Sequence, residues 1–181
     1  MNKPSLRKLA AAIVVGGLIP TASFAAMSIY LKIDNIPGEV ITKGFEKSIE
    51  VYAYSWGMQR ATQGGAGMMK PCVQVSALEL SKPVDKSSPL FLTNAVSGMV
   101  FPKAKVSFVK SGGEFAPQEF MTLDLTNVTI TGVQEAGSNG DDRPVENVSL
   151  KFGGATVTYK PQDEKGGAGT PVTSTFKAGA C

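Results

Sequence analysis

Apolar and polar side chains alternate along most of the chain after residue 26, and short glycine-rich runs separate the alternating segments. Ser28–Ile33 reads SIYLKI, and Ile49–Trp56 reads IEVYAYSW, which is rich in β-branched and aromatic residues. Alternation with a period of two is typical of half-buried β-strands. We therefore predict strands over these two segments and over five more, which are Val73–Leu80, Ala104–Lys110, Glu119–Val133, Glu146–Lys160 and Pro171–Phe176.

One segment, SSPLFLTNAVSG, has helical spacing instead, since positions 90, 91, 94 and 95 fall on one side of a helix. Ser88 is expected to cap this helix, and Pro89 suits the first turn, where its missing N–H group is not needed. Gly98 fits the left-handed residue that ends a helix. The sequence therefore predicts one short helix that begins near Ser88 and stops at Gly98.

Several strands and one helix indicate a mainly β, antiparallel fold. Exposed edge strands invite unwanted pairing, and charged residues, which often protect them, make up only 18% of this chain. A closed β-barrel removes the edges, so the pattern favours a barrel with a single flanking helix.

The first 25 residues have the three parts of an export leader. Met1–Lys8 is short and basic, Leu9–Ile19 is apolar but too short to span a bilayer, and small residues occupy both positions that signal peptidase inspects, Ser23 and Ala25. We predict a signal peptide over residues 1–25, with cleavage between Ala25 and Ala26, and a β-domain over residues 26–181. The alternatives are a buried N-terminal helix, or untranslated upstream sequence with translation starting at Met27.

The net charge of +3 comes from the predicted leader, because Lys3, Arg7 and Lys8 lie within it. The remaining chain has 15 basic and 15 acidic residues and is neutral overall. Nucleic-acid binding needs a basic patch on the folded domain, so the sequence gives no support for a nucleic-acid partner. We also expect no membrane contact once the leader has been removed.

Residues that carry catalysis or bind metals are scarce. The chain has no histidine, and its two cysteines, Cys72 and Cys181, do not form a metal-ligand set. The adjacent pair Asp141 and Asp142 is expected to be solvated in a turn. We predict no enzyme activity, catalytic residue, metal or cofactor. In an oxidising compartment Cys72 and Cys181 are expected to form a disulfide, either within one chain or between two chains.

Five segments in chain order carry a resemblance to known proteins, which are Met27–Glu39, Ala53–Gln59, Ser81–Phe91, Asp141–Phe152 and Val157–Gln162. Together they resemble the Hcp family, the haemolysin-coregulated proteins that build the inner tube of type VI secretion systems. The resemblance implies two antiparallel β-sheets that form a barrel with one flanking helix, and a homohexameric ring that can stack into a hollow tube and carry secreted effector proteins in its lumen. The glycine-rich stretch that begins at Gly57 resembles the family's extended loop, which contacts neighbouring subunits.

Two functional hypotheses follow from the resemblance and the leader. The first is a secreted structural subunit that forms hexameric rings. The second is an exported, stand-alone Hcp-like module for binding or adhesion in the periplasm or the extracellular space, outside any secretion tube. Both place the protein in the bacterial periplasm or medium. In either case we expect Tyr54 and Trp56 to pack in the core or at a subunit seam rather than to bind a ligand.

Overall fold

The computed structural model describes residues 27–60, 73–110, 117–162, 167 and 169–179. Over these residues the chain forms antiparallel strands with one α-helix between the sixth and seventh strands, so the predicted mainly β class is confirmed. The elements in chain order are β1 (Met27–Ile33), β2 (Ile49–Val51), β3 (Ala53–Ser55), β4 (Met58–Arg60), β5 (Val73–Val75), β6 (Leu78–Pro83), α1 (Ser88–Ser97), β7 (Val100–Lys110), β8 (Gln118–Ala136), β9 (Val145–Lys151), β10 (Gly154–Tyr159) and β11 (Val172–Lys177).

The long strand β8 divides the main sheet into two wings. Its residues Met121–Thr126 pair with β10, and its residues Thr129–Ala136 pair with β9. Asn127, with a φ of 51°, lies between the two paired stretches. One wing therefore runs in the order β2-β1-β7-β8-β10-β11, and the other runs β7-β8-β9-β6-β3.

The two predicted sheets are thus wings of one nine-stranded sheet, and its hydrogen-bond ladder does not close into a barrel. The strands at the two ends of the longest pairing path, β2 and β3, are consecutive in the chain and separated only by Tyr52. The Tyr52 amide donates a hydrogen bond of 2.7 Å to the Ser81 carbonyl of β6. One extended segment therefore passes from β1 to β6, which brings the two ends together without a continuous ladder.

The core lies between the two wings and follows the alternation seen in the sequence. In β1 the side chains of Ile29, Leu31 and Ile33 are buried, whereas Lys32 between them is exposed. Burial of apolar surface from many strands is the main contribution to the stability of such a fold. Core residues of the other elements include Ile49, Val51, Leu78, Leu80, Phe91, Phe101, Val106, Phe108, Leu123, Leu125, Val128, Ile130, Val148 and Leu150.

The connection between β1 and β2 contains a glycine that the structure requires. The amide of Gly38 donates to the Lys47 carbonyl at 2.8 Å, so the chain folds back closely on itself. A Cβ atom at position 38 would lie 2.1 Å from the carbonyl oxygen of Ser48 and 2.5 Å from the Cα atom of Ile49. Because both are backbone atoms, no side-chain rearrangement can make room for a larger residue.

The helix forms where it was predicted, but its first residues have different roles. Gly98 has a φ of 65° and its amide donates to the Asn94 carbonyl at 3.1 Å, which confirms the predicted stop. The N-cap is Ser87, which makes no side-chain capping hydrogen bond, and Ser88 is already the first helical residue. The prediction that Ser88 is the cap is therefore wrong, because its hydroxyl takes part in a buried polar cluster.

Candidate assembly surface

The predicted cleavage residues Ala25 and Ala26 and the predicted disulfide residues Cys72 and Cys181 lie outside the described residues. The glycine-rich stretch is described in part. Its residues Met58–Arg60 form β4, which pairs with β5 as a separate two-stranded ribbon. All three β4 residues are exposed.

The two aromatic residues before this ribbon pack within the subunit. The Tyr54 ring meets the Phe108 ring edge to face at a centroid distance of 4.6 Å. The Trp56 ring stacks on Phe176 of β11, with centroids 5.8 Å apart and planes 12° apart. Trp56 therefore connects the base of the ribbon to the edge strand β11.

Helix α1 has no charged residue, and much of its exposed surface is apolar. Phe91 faces the core and is fully buried, but Leu92 is 46% exposed and Val96, one turn later, is 91% exposed. Met99 and Val100 follow directly after the helix stop and are also exposed. We call Leu92, Val96, Met99 and Val100 the apolar helix face. Surface helices normally carry charged residues on the outside, so the apolar helix face is a candidate contact surface.

A cluster of ionic groups is buried beneath the N-terminal end of α1. The Lys82 ammonium lies 2.7 Å from Glu146 Oε2 and 3.0 Å from Asp85 Oδ1, and the side chains of Lys82 and Glu146 are completely inaccessible. Lys82 Nζ also donates to the Pro83 carbonyl at 2.8 Å and lies 3.1 Å from the Ser88 hydroxyl. That hydroxyl donates to Glu146 Oε2 at 2.9 Å. Strands β6 and β9 and helix α1 therefore meet at one polar centre, the ion cluster of Lys82, Asp85, Ser88 and Glu146.

The ion cluster is not balanced in charge. One ammonium faces two carboxylates, and Glu146 Oε1 is buried without a hydrogen-bond partner among the described residues. Buried charges lose their hydration, which costs several kcal/mol for each ion, and an unpaired buried oxygen adds to this. Asp85 is better satisfied, because its Oδ1 also accepts hydrogen bonds from the amide and the hydroxyl of Ser87.

A second, more accessible ionic group lies on the other wing. Glu119 bridges Lys105 and Lys160, each at 3.0 Å. Partial burial raises the pKa of the Glu119 carboxyl, but hydrogen bonds from Ser107, Lys160 and Lys105 outweigh it, so that this pKa lies below its ordinary value of 4.5. The group ties β7 and β8 to the residue that follows β10.

The clefts formed by the described residues do not place catalytic side chains around one reacting point. A solvent-open cleft of about 250 Å³ lies beside the β1–β2 connection and is lined in part by Glu39, Asp85 and Arg143. Within the described residues, no group of three or more histidine, cysteine, aspartate or glutamate side chains is placed to hold a metal ion. The Asp141 carboxylate accepts the Ser138 amide at 2.7 Å and so stabilises the β8–β9 turn.

Comparison with known proteins assigns the family. A family model described as type VI secretion system effector, Hcp, matches residues 30–159. The chain belongs to the Hcp family. Among Hcp proteins, Protein hcp1 of Pseudomonas aeruginosa is 37% identical over 150 residues, which cover 81% of this chain and 92% of the relative.

Solved structures of Hcp proteins share the fold. A structure described as a type six secretion system protein superposes with a TM-score of 0.74 at 28% identity, covering 84% of this chain and 96% of the other. Hcp1 from Salmonella typhimurium superposes with a TM-score of 0.71 at 27% identity, covering 84% and 95%. In the described part of this Hcp chain, α1 has ten residues, and no helix has the length and apolar character needed to cross a bilayer.

The ion cluster was not predicted from the sequence, although the positions of Lys82 and Glu146 in their strands carry a signal for it. Lys82 and Glu146 are directly opposite each other in the β6–β9 ladder. Lys82 continues the buried positions Leu78 and Leu80, and Glu146 begins the buried series that continues with Val148 and Leu150. A lysine and a glutamate at core positions of two strands indicate a buried pair once the two strands are known to be neighbours.

Proposed function

We propose that this protein is a structural, ring-forming subunit of a type VI secretion tube and that it assembles as a homohexamer. Its role is mechanical rather than enzymatic, and secreted effector proteins travel in the lumen of the ring. The observation that carries the proposal is the apolar helix face, on a chain that belongs to the Hcp family. A monomer would leave this uncharged face in water, whereas a ring covers it.

A six-membered ring requires a heterologous contact, in which the surface of α1 meets a different surface of the next subunit. Heterologous contacts with a suitable rotation close into rings, whereas pairing of α1 with its own copy would give a dimer. The exposed strand β4 of the ribbon offers a second surface for contacts between copies. Stacking of rings into a tube would use surfaces at the two ends of the ring.

The leader and the cysteines complete the proposal. Residues 1–25 act as a cleaved signal peptide, the mature domain comprises residues 26–181, and the protein reaches the periplasm or the medium. In that oxidising compartment Cys72 and Cys181 form a disulfide. The family match over residues 30–159 supports the tube class rather than an exported stand-alone binding or adhesive module.

Negative-stain electron microscopy of protein purified from its native cell, combined with N-terminal sequencing, tests the proposal. We expect six-membered rings with an open centre and an N-terminus at Ala26. Fields that contain only small, featureless particles at micromolar concentration would contradict ring formation. An N-terminus at Met27 in cytoplasmic protein would contradict export but leave the ring intact.

A further inference from the structure

We propose that the ion cluster is a positioning lock, which fixes the orientation of α1 on the sheet and so aligns the apolar helix face for contact with the next subunit. Lys82, Asp85, Ser88 and Glu146 are positioning residues in this sense. Lys82, Ser88 and Glu146 are buried, and the Asp85 side chain is 4% exposed at the edge of the open cleft. This inference rests on the proposed ring function, since it assigns a purpose to the orientation of α1.

The contacts of α1 with the sheet show why a lock is needed. The buried apolar anchor of the helix is Phe91, and apolar contacts are not directional. Ser88, the first helical residue, instead makes directional contacts, since its hydroxyl donates to Glu146 Oε2 and accepts the Asp85 amide at 3.1 Å. Apolar contacts of Phe91 and the partly buried Ala95 therefore hold the helix against the sheet, and the polar centre adds the directional contacts that fix its rotation.

The energetics of the ion cluster favour a role in orientation over a role in stability. Two carboxylates share one buried ammonium, and Glu146 Oε1 has no partner among the described residues. Apolar side chains of similar volume in place of buried ion pairs are often neutral or stabilising, whereas the loss of one partner is strongly destabilising. The ion cluster therefore contributes no more to stability than apolar side chains of similar volume would, but its directional contacts define one orientation of the helix.

If the ion cluster orients α1, two kinds of variant of the mature chain should differ in ring formation and in hydrogen-exchange protection of the helix. Glu146→Gln keeps an oxygen that accepts from Lys82 and Ser88, and leaves Lys82 balanced by Asp85, so we expect wild-type ring formation. The triple variant Lys82→Met/Asp85→Asn/Glu146→Leu removes all three charges and the shared acceptor. We expect it to fold with similar or higher thermal stability and yet to lose at least about 10-fold of its hydrogen-exchange protection over residues 88–98.

The readouts are hydrogen exchange of α1 in the separated subunit and the fraction of protein in rings. Ser88→Ala removes a single hydroxyl, so it decides the question if the triple variant does not fold, and we expect at least about a 10-fold loss of α1 protection. The control Lys105→Met/Glu119→Leu removes an ion pair from β7 and β8, and should leave α1 protected.

Three results would overturn the lock. These are wild-type α1 protection in a folded triple variant, wild-type α1 protection in Ser88→Ala, and loss of rings in Glu146→Gln. Failure of the wild-type protein to form rings would instead refute the proposed function. The exchange data from separated subunits would then still show whether the ion cluster holds the helix.

Discussion

The substitution Val96→Glu tests the apolar helix face with little effect on the subunit itself. Val96 is 91% exposed, so its side chain contributes almost nothing to the core. Glutamate has a higher helix propensity than valine, and this offsets most of the unfavourable interaction of a carboxylate with the last turn of a helix. We therefore expect the free energy of subunit unfolding to change by no more than about 0.5 kcal/mol.

The effect on assembly is far larger if the face is covered in the ring. Loss of a buried valine removes about 1.5 kcal/mol from each subunit contact. A carboxylate forced into the same contact without a partner adds a desolvation cost of several kcal/mol. Even a total of about 3 kcal/mol weakens each contact by more than about 100-fold, and a six-membered ring contains six such contacts.

Size-exclusion chromatography with light scattering across a wide concentration range measures this effect, and urea unfolding measures subunit stability. Ile41→Glu is the matched control, because Ile41 is 92% exposed and receives the same charge but lies on the β1–β2 connection. We expect the control to form rings and Val96→Glu to remain monomeric. Rings in both variants, or monomers in both, would refute the reasoning that places the contact on α1.

Three further predictions concern stability, pH and redox state. Gly38→Ala should lower the free energy of unfolding by about 3 kcal/mol in urea titrations, because the new Cβ meets backbone, and Gly57→Ala, which has open space, should be neutral. The pKa of Glu119 is lowered in the folded state, so its stabilising contribution is present above the ordinary value of 4.5 and is lost as pH falls further. The stability difference between wild type and Glu119→Gln should therefore shrink below pH about 4.5 in unfolding titrations, and a constant difference would contradict the assignment. Protein recovered from the periplasm should show no free thiol at Cys72 or Cys181 on non-reducing gels with a thiol reagent, and labelling of either cysteine would contradict their pairing.

Alternation along the sequence predicted where strands form but not where they change partner. Ile49–Trp56 was predicted as one strand, and the structure divides it at Tyr52, where pairing passes from β1 to β6. Val73–Leu80 was likewise predicted as one strand, but the chain leaves the ribbon at Ser76, whose amide bonds to the Gly57 carbonyl at 2.9 Å. The burial pattern also changes at both breaks. Ile49 and Val51 of β2 are buried but β3 is exposed throughout, and the inward positions shift from Val73 and Val75 in β5 to Leu78 and Leu80 in β6.

Some parts of the candidate assembly surface can be predicted from local sequence, whereas others depend on tertiary structure. The helix and its stop at Gly98 followed from local propensity, and the absence of charge in α1 can be read directly from the sequence. The ion cluster requires β6, β9 and α1 to be adjacent, and strand order is not encoded in local periodicity. Ser88 illustrates the difference, since its position next to Pro89 suggested a cap while tertiary contacts recruited its hydroxyl to Glu146.

Native mass spectrometry of the mature chain tests ring formation directly, since it counts subunits without assuming a particle shape. We expect a dominant species of six subunits that dissociates to monomers when Val96→Glu is introduced. A wild-type spectrum that contains only monomer at every concentration examined would contradict the claim that this chain forms rings.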